Sequence, residues 1–235
     1  METPYFHVQS LADAPRILTL PEEVSHHAVS VLRLQAGARI VLVDGLGRSA
    51  EVRLLSPHRK RAEAELLDAT VAEDRRKQVT LAVSPLKNAS RFEWMLEKAA
   101  EIGVREVVPI LCHRTEKKGL RMDRLRSICV SAMLQSKQSW MTEVRDPVDF
   151  ESYIGRSGFH TRLIAHCLPG SRPALPTPSV YAPPIDMLVG PEGDFTEGEV
   201  SLAMASGFQA VGLGPTRLRT ETAALAAAVL LCIGG

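Results

Sequence analysis

The spacing of apolar and polar residues changes character near residue 72. Before it, apolar positions come in short alternating runs. Residues 39–43 and 50–55 read as strands joined by the hairpin signal Asp44-Gly45-Leu46-Gly47, and 62–67 alternate weakly as a third strand. Residues 22–33 read as a short helix ending near Gly37. The run Ala72-Glu73-Asp74-Arg75-Arg76-Lys77 has no apolar period and reads as a hinge, which divides the chain into domains 1–72 and 73–235. Residues 79–83 are then continuously apolar, as a strand covered on both faces requires. A helix follows from Ser90 to Ile102, with Ser90 and Glu93 as a capping box, Phe92, Met95, Leu96 and Ala99 as its stripe, and Gly103 as its stop. Strands at 107–111 and 162–166 and helices at 123–138 and 149–155 come next, and the proline-rich 169–184 reads as an irregular loop.

The densest pattern lies at 185–233. Apolar 185–189 ends in Gly190-Pro191, and apolar 210–213 ends in Gly214-Pro215. Each loop feeds a helix opening at a threonine: Thr196 pairs with Glu199 in a capping box, and Thr220 is expected to cap, with Glu221 in the first turn. Two strand–loop–helix units imply parallel strands whose ligands sit beyond the carboxyl ends, so the two loops are expected side by side around one pocket. Glycine lets main chain approach a ligand, and proline stiffens the loop; the combination suits a nucleoside-like ligand. Neither G-x-x-x-x-G-K-[ST] nor G-x-G-x-x-G is present, which argues against a polyphosphate. A single Gly-Pro only turns a chain. Two of them, crowded by Arg217, Arg219, Glu192, Asp194 and Glu221, point to a site. Pattern alone gives a β-rich barrel followed by an open parallel sheet covered by helices, with no knot.

LVGPEGDFTEGEV and LGPTRLRTETAALAA resemble the two signature loops of the ribosomal small subunit methyltransferase E family. The resemblance extends over nearly the whole chain. It implies an N-terminal PUA-like β-barrel that binds RNA, where Phe6-His7, His26-His27, residues 31–34 and Asp44-Gly45 fit the pattern. A SPOUT α/β domain with a C-terminal trefoil knot would follow. It also implies S-adenosylmethionine as cofactor, a homodimer, and methylation of a 16S rRNA uridine at N3. Cofactor contacts would come from His166, Leu188, Val189, Gly190, Pro191, Glu192, Gly193, Leu213, Gly214, Leu218, Thr220 and Ala223. RNA contacts would come from Arg33, Lys87, Arg91, Arg114, Lys117, Lys118 and Gln135. Arg33 is equally a surface arginine closing a helix, and the segment holding Arg114 and Lys117 equally a solvated face. Arg219 is assigned to stabilise charge on the uracil carbonyls, with Glu221 or Glu192 as proton acceptor or cofactor orienter. Glu97 and Glu101, one turn apart around Lys98, are read as a salt-bridged face.

The chain departs from the family where Asp194 replaces a glycine, a place where aspartate tolerates a left-handed backbone. It departs again where Leu134 and Gln138 replace a glutamate and an arginine of many relatives. Two other readings stand: a SPOUT methyltransferase for another RNA site, or an RNA-binding relative without activity.

Charge sharpens one point. The net charge is only +1, yet residues 75–145 hold 15 Lys/Arg against 7 Asp/Glu, a basic middle suited to phosphate contacts or to solvated helix faces. Cys112, Cys129, Cys167 and Cys232 are far apart, which suggests buried reduced thiols in a cytoplasmic protein with neither metal nor disulfide. No apolar run reaches membrane-spanning length, and the start has no signal-peptide pattern.

Overall fold

A computed structural model of the chain describes residues 3–74, 78–117, 119–169, 173–175 and 181–233. Part of the expected hinge (75–77), Lys118 and most of the proline-rich loop lie outside the described residues. The chain forms two compact units, Met1–Arg75 with Met133–Met141, and Arg76–Ala132 with Thr142–Gly235.

In the first unit the strands are β1 (Tyr5–His7), β2 (Ile17–Thr19), β3 (Arg39–Val43), β4 (Arg48–Ser56) and β5 (Glu63–Val71). They pair in the order β1-β3-β4-β5-β2, and the sheet curls round a core that includes Phe6, Leu20, Ile40, Val52, Leu54 and Ala64. β1 and β2 were not expected, because three residues show no period. The expected helix 22–33 is shorter: α1 (Glu22–His26) widens into a π-helical turn at His27–Val31, and Arg33 then adopts φ +54. His27 packs edge-on against Phe6. The hairpin after β3 forms as expected. Asp44 is buried there, which pushes its carboxyl up, but amides of Leu46 and Arg48 and the Arg48 side chain donate to it and hold it below the usual range. A β-carbon on Gly47 (φ +89) would collide with the Trp140 indole.

The second unit is a parallel sheet with helices. Its elements are β6 (Val79–Val83), α2 (Ala89–Ile102), β7 (Glu106–Leu111), α3 (Met122–Gln135), β8 (Glu143–Val144), β9 (Val148–Asp149), α4 (Phe150–Ile154), β10 (Thr161–Ala165), β11 (Ile185–Val189), α5 (Glu197–Ala205), β12 (Gln209–Val211) and α6 (Thr220–Cys232). The strand order is β12-β10-β11-β6-β7-β8, with β9 beside β7. Central β6 and β11 are buried throughout, as their mainly apolar runs lead one to expect, and Thr80 and Asp186 are buried with them. β8 and β9 are too short to register in a sequence pattern.

Two helix starts, those of α2 and α6, differ from expectation. Asn88, not Ser90, caps α2: its Oδ1 accepts from the Ser90 amide at 2.9 Å, while Glu93 pairs with Arg121 and Arg124. α5 has the Thr196–Glu199 capping box in full. Lys98 bonds both Glu97 (2.7 Å) and Glu101 (2.8 Å), the salt-bridged face expected. After β12 at the sheet edge, the chain returns to the centre, where α6 packs on α2, β6 and β11.

Strand register also sets Arg162, Asp186, Thr80 and Glu106 in one row across β10, β11, β6 and β7. Asp186 is fully buried; it accepts from the Tyr153 hydroxyl at 2.5 Å and faces Arg162 at 3.7 Å. Glu106 bonds Arg145 at 2.6 Å and Arg156 at 3.3 Å.

Candidate functional site

A cleft of about 830 Å³ opens beyond the carboxyl ends of β10, β11 and β12. Its walls are His166 and Cys167 after β10, residues 189–192 with Asp194 after β11, and residues 211–221 after β12. The two Gly-Pro loops do meet in one cavity, but their strands are not neighbours. β10 lies between β11 and β12, and it adds a third wall that the repeated strand–loop–helix pattern did not suggest.

Three contacts hold this cavity in shape. Thr220 is the first residue of α6 rather than its cap; Arg219 takes the cap position, and no side chain there bonds the helix start. The buried Thr220 hydroxyl instead donates to the Gly190 carbonyl at 2.9 Å, tying one loop to the other. Asp194 has φ +64, in the left-handed region that aspartate tolerates better than most residues. Its carboxylate accepts from the Cys167 amide at 2.7 Å and from the Phe195 amide at 2.8 Å, joining the β11 loop to the turn after β10. Gly190 meets the Phe195 ring so closely that an added β-carbon would sit 3.1 Å from it.

The expected site residues fall into four groups. His166, Val189, Gly190, Pro191, Glu192, Leu213, Gly214, Leu218, Arg219, Thr220, Glu221 and Ala223 line the cleft, and Arg91 joins them. His166 accepts from the Leu168 amide through Nδ1. Leu188 and Gly193 do not line the cleft: Leu188 is fully buried in β11, and Gly193 is exposed beside Arg114, whose guanidinium donates to its carbonyl at 2.7 Å. Arg114 thus braces the loop, a use that only folding reveals. Lys87 is exposed and pairs with Glu116 at 2.9 Å, while its amide donates to Glu192 at 3.0 Å; Lys117 is half-buried and Lys118 lies outside the described residues. Arg33 and Gln135 belong to the first unit, both exposed, with Arg33 beside a surface cavity shared with His26, Arg59 and Lys60.

The electrostatics of the cleft are uneven. Glu221 is buried, and among the described residues its ion-pair partner is Arg91 at 3.8 Å. Arg219 is exposed and, among the described residues, its side chain has no hydrogen bond or ion pair. Such an arrangement leaves a guanidinium available to a ligand in the same cleft as a carboxylate shielded from water. Sequence reasoning missed Cys167, taken as buried but in fact exposed in the cleft wall; Cys112 and Cys129 are buried, and burial pushes the Cys129 thiol up to about 12. Among the described residues no cluster of His, Cys, Asp and Glu could hold a metal ion, and no helix is long and apolar enough to cross a membrane.

Residues 73–232 match the family profile described as an RNA methyltransferase domain, and residues 20–67 match that of an RNA methyltransferase PUA domain. A ribosomal RNA small subunit methyltransferase E from Synechocystis sp. is 32% identical over 216 residues, spanning 88% of this chain and 69% of the relative. The chain belongs to the ribosomal RNA small subunit methyltransferase E family. A member of that family from Neisseria gonorrhoeae, solved bound to S-adenosyl methionine, is 31% identical with a TM-score of 0.83, covering 97% of this chain and 96% of its own. A probable rRNA methyltransferase from Porphyromonas gingivalis is 35% identical with a TM-score of 0.86, covering 96% and 95%. The family therefore accounts for both units, a PUA domain and a methyltransferase domain.

Proposed function

We propose that this chain methylates N3 of a specific uridine in 16S rRNA, with S-adenosyl methionine as methyl donor. The observation that carries the reading is the meeting of both Gly-Pro loops in one cleft, with Arg219 free at its rim and Glu221 buried in its wall. The cleft fits a nucleoside-like donor: main chain and small or apolar groups of residues 189–191, Leu213, Gly214, Leu218 and Ala223 would hold it, with Glu192 near a positive centre. When bound, the donor supplies an already activated methyl group. The protein's own tasks are alignment and the handling of one proton.

Uridine N3 carries a proton and lies on the pairing edge, so the base must be unpaired or extruded. Glu221 accepts that proton. Arg219 faces the negative charge that then spreads over the uracil carbonyl oxygens. Lys87, Arg91, Lys117, Lys118 and Arg114 supply or brace a basic RNA-facing surface, and Arg33 and Gln135 add contacts from the first unit. Residues 1–72 form the RNA-binding domain and 73–235 the catalytic one, a division supported by profiles that end at 67 and begin at 73, with residues 133–141 of the latter packed into the first unit. The return of the chain from the edge strand β12 to α6 at the centre supports a C-terminal trefoil knot. Exposed Val229 and Ile233 on and after α6 support a homodimer. A ribosomal substrate supports a cytoplasmic location, and the proposed chemistry uses no metal.

Reverse transcription across small-subunit rRNA tests the reading, because N3 methylation blocks pairing and stalls copying. The stop should vanish on deleting the gene, return with the wild-type gene, and stay absent with Arg219→Ala. In vitro, Arg219→Ala should lower methyl transfer by about 100- to 1,000-fold, the usual effect of removing one charge-stabilising donor, with donor affinity by calorimetry unchanged. A stop that persists in the deletion strain rejects the function; a fully active variant rejects the role of Arg219.

A further inference from the structure

Trp94 is 49% exposed on α2, although the opposite side of that helix is buried through Phe92, Met95 and Leu96. Among the described residues its indole has no ring or hydrogen-bond partner. An isolated exposed tryptophan carries little meaning; this one walls a second cavity of about 620 Å³, with Ser90, Arg217 and Thr222 around it. Arg91, Arg217, Leu218, Arg219 and Glu221 line both this cavity and the donor cleft, so the two adjoin. A flat aromatic face, guanidinium groups and a shielded carboxylate together match a pyrimidine nucleotide. The indole offers stacking, the arginines meet phosphate or carbonyl oxygens, and the carboxylate meets an N–H.

We propose that the chamber beside Trp94 receives the extruded uridine, with the pyrimidine stacked on the indole and its pairing edge toward Arg219 and Glu221. The inference rests on the methyltransferase reading above. Stacking tolerates any base, so Trp94 would hold the nucleotide while the charged groups select uracil.

The test uses the full chain as wild type, Trp94→Ala and Trp94→Phe. Methyl transfer to small-subunit RNA is measured alongside donor affinity, thermal midpoint and mass by light scattering. Trp94→Ala should lower kcat/KM for RNA by roughly 10- to 100-fold, the range of one lost base–aromatic stack. Trp94→Phe should recover most of it, with donor affinity, midpoint and mass unchanged in both. An equally active Trp94→Ala overturns the inference and leaves the methyltransferase reading intact. A fall in mass or in donor affinity overturns it in favour of a subunit interface or a donor wall. A wild-type protein without transfer activity removes both.

Discussion

Asp194 shows how one residue can replace a glycine at a demanding backbone position. Its φ of +64 would strain most side chains, but its carboxylate accepts from two amides, Cys167 and Phe195, that the loop would otherwise leave without side-chain partners. The tolerance for a left-handed backbone was legible in the sequence. The bond to Cys167 was not, because it spans 27 positions. Asp194→Ala should cost about 1–3 kcal/mol through the lost acceptors and the disfavoured backbone. Asp194→Gly, which relieves the backbone alone, should fall between that variant and wild type. Thermal and urea unfolding of the three proteins decide it, and an Asp194→Ala as stable as wild type would reject this account.

At the scale of elements, the loops and helix starts were read well where a signal was local. The Thr196–Glu199 box, the Gly103 stop (φ +93) and the apolar runs of β6 and β11 all formed as read. Thr220 was not read correctly. A threonine before a carboxylate looks like a cap, but here its hydroxyl is spent on the Gly190 carbonyl, 30 positions away. Thr220→Val keeps the shape and removes the donor, leaving a buried carbonyl unpaired at a cost of about 1–2 kcal/mol. If that bond shapes the donor loop, affinity for S-adenosyl methionine in calorimetry should fall by roughly 5- to 30-fold. Unchanged affinity would show that the loops hold their positions independently.

For the whole molecule, the polar row across the sheet controls how stability varies with pH. Burial pushes the Asp186 carboxyl from 3.8 up to about 6, against the pull of the Tyr153 hydroxyl and of Arg162 and Arg156. The folded state then holds this proton more tightly than the unfolded chain. Its contribution to stability falls as pH rises from 3.8 to about 6 and is level above that. Glu106 works in the opposite sense. Burial pushes its carboxyl up, but Arg145, Arg156 and Thr80 hold it below the usual range, so its contribution is present at neutral pH and lost in acid. Asp186→Asn keeps an acceptor for Tyr153 and removes the titration. Relative to wild type it should gain about 1–3 kcal/mol between acid and neutral pH. Denaturation curves taken from about pH 4 to pH 8 would show the two proteins diverging; parallel curves would exclude Asp186 as the titrating group.

The sequence by itself determined where the longer strands run, where the glycine-proline loops lie, and which residues gather on them. It also carried the family resemblance that the comparisons bear out. These features depend on side-chain period and backbone preference within a few residues. Only the tertiary structure decided that β10 separates the two loop-bearing strands, that Thr220 and Asp194 tie distant loops together, that Arg114 braces Gly193, and that Trp94 faces the cavity beside Arg219 and Glu221. Buried parallel strands are apolar along most of their length, so little in their own pattern names a neighbour. Their order follows from how the complete chain buries those faces, and every contact across the cleft depends on that order.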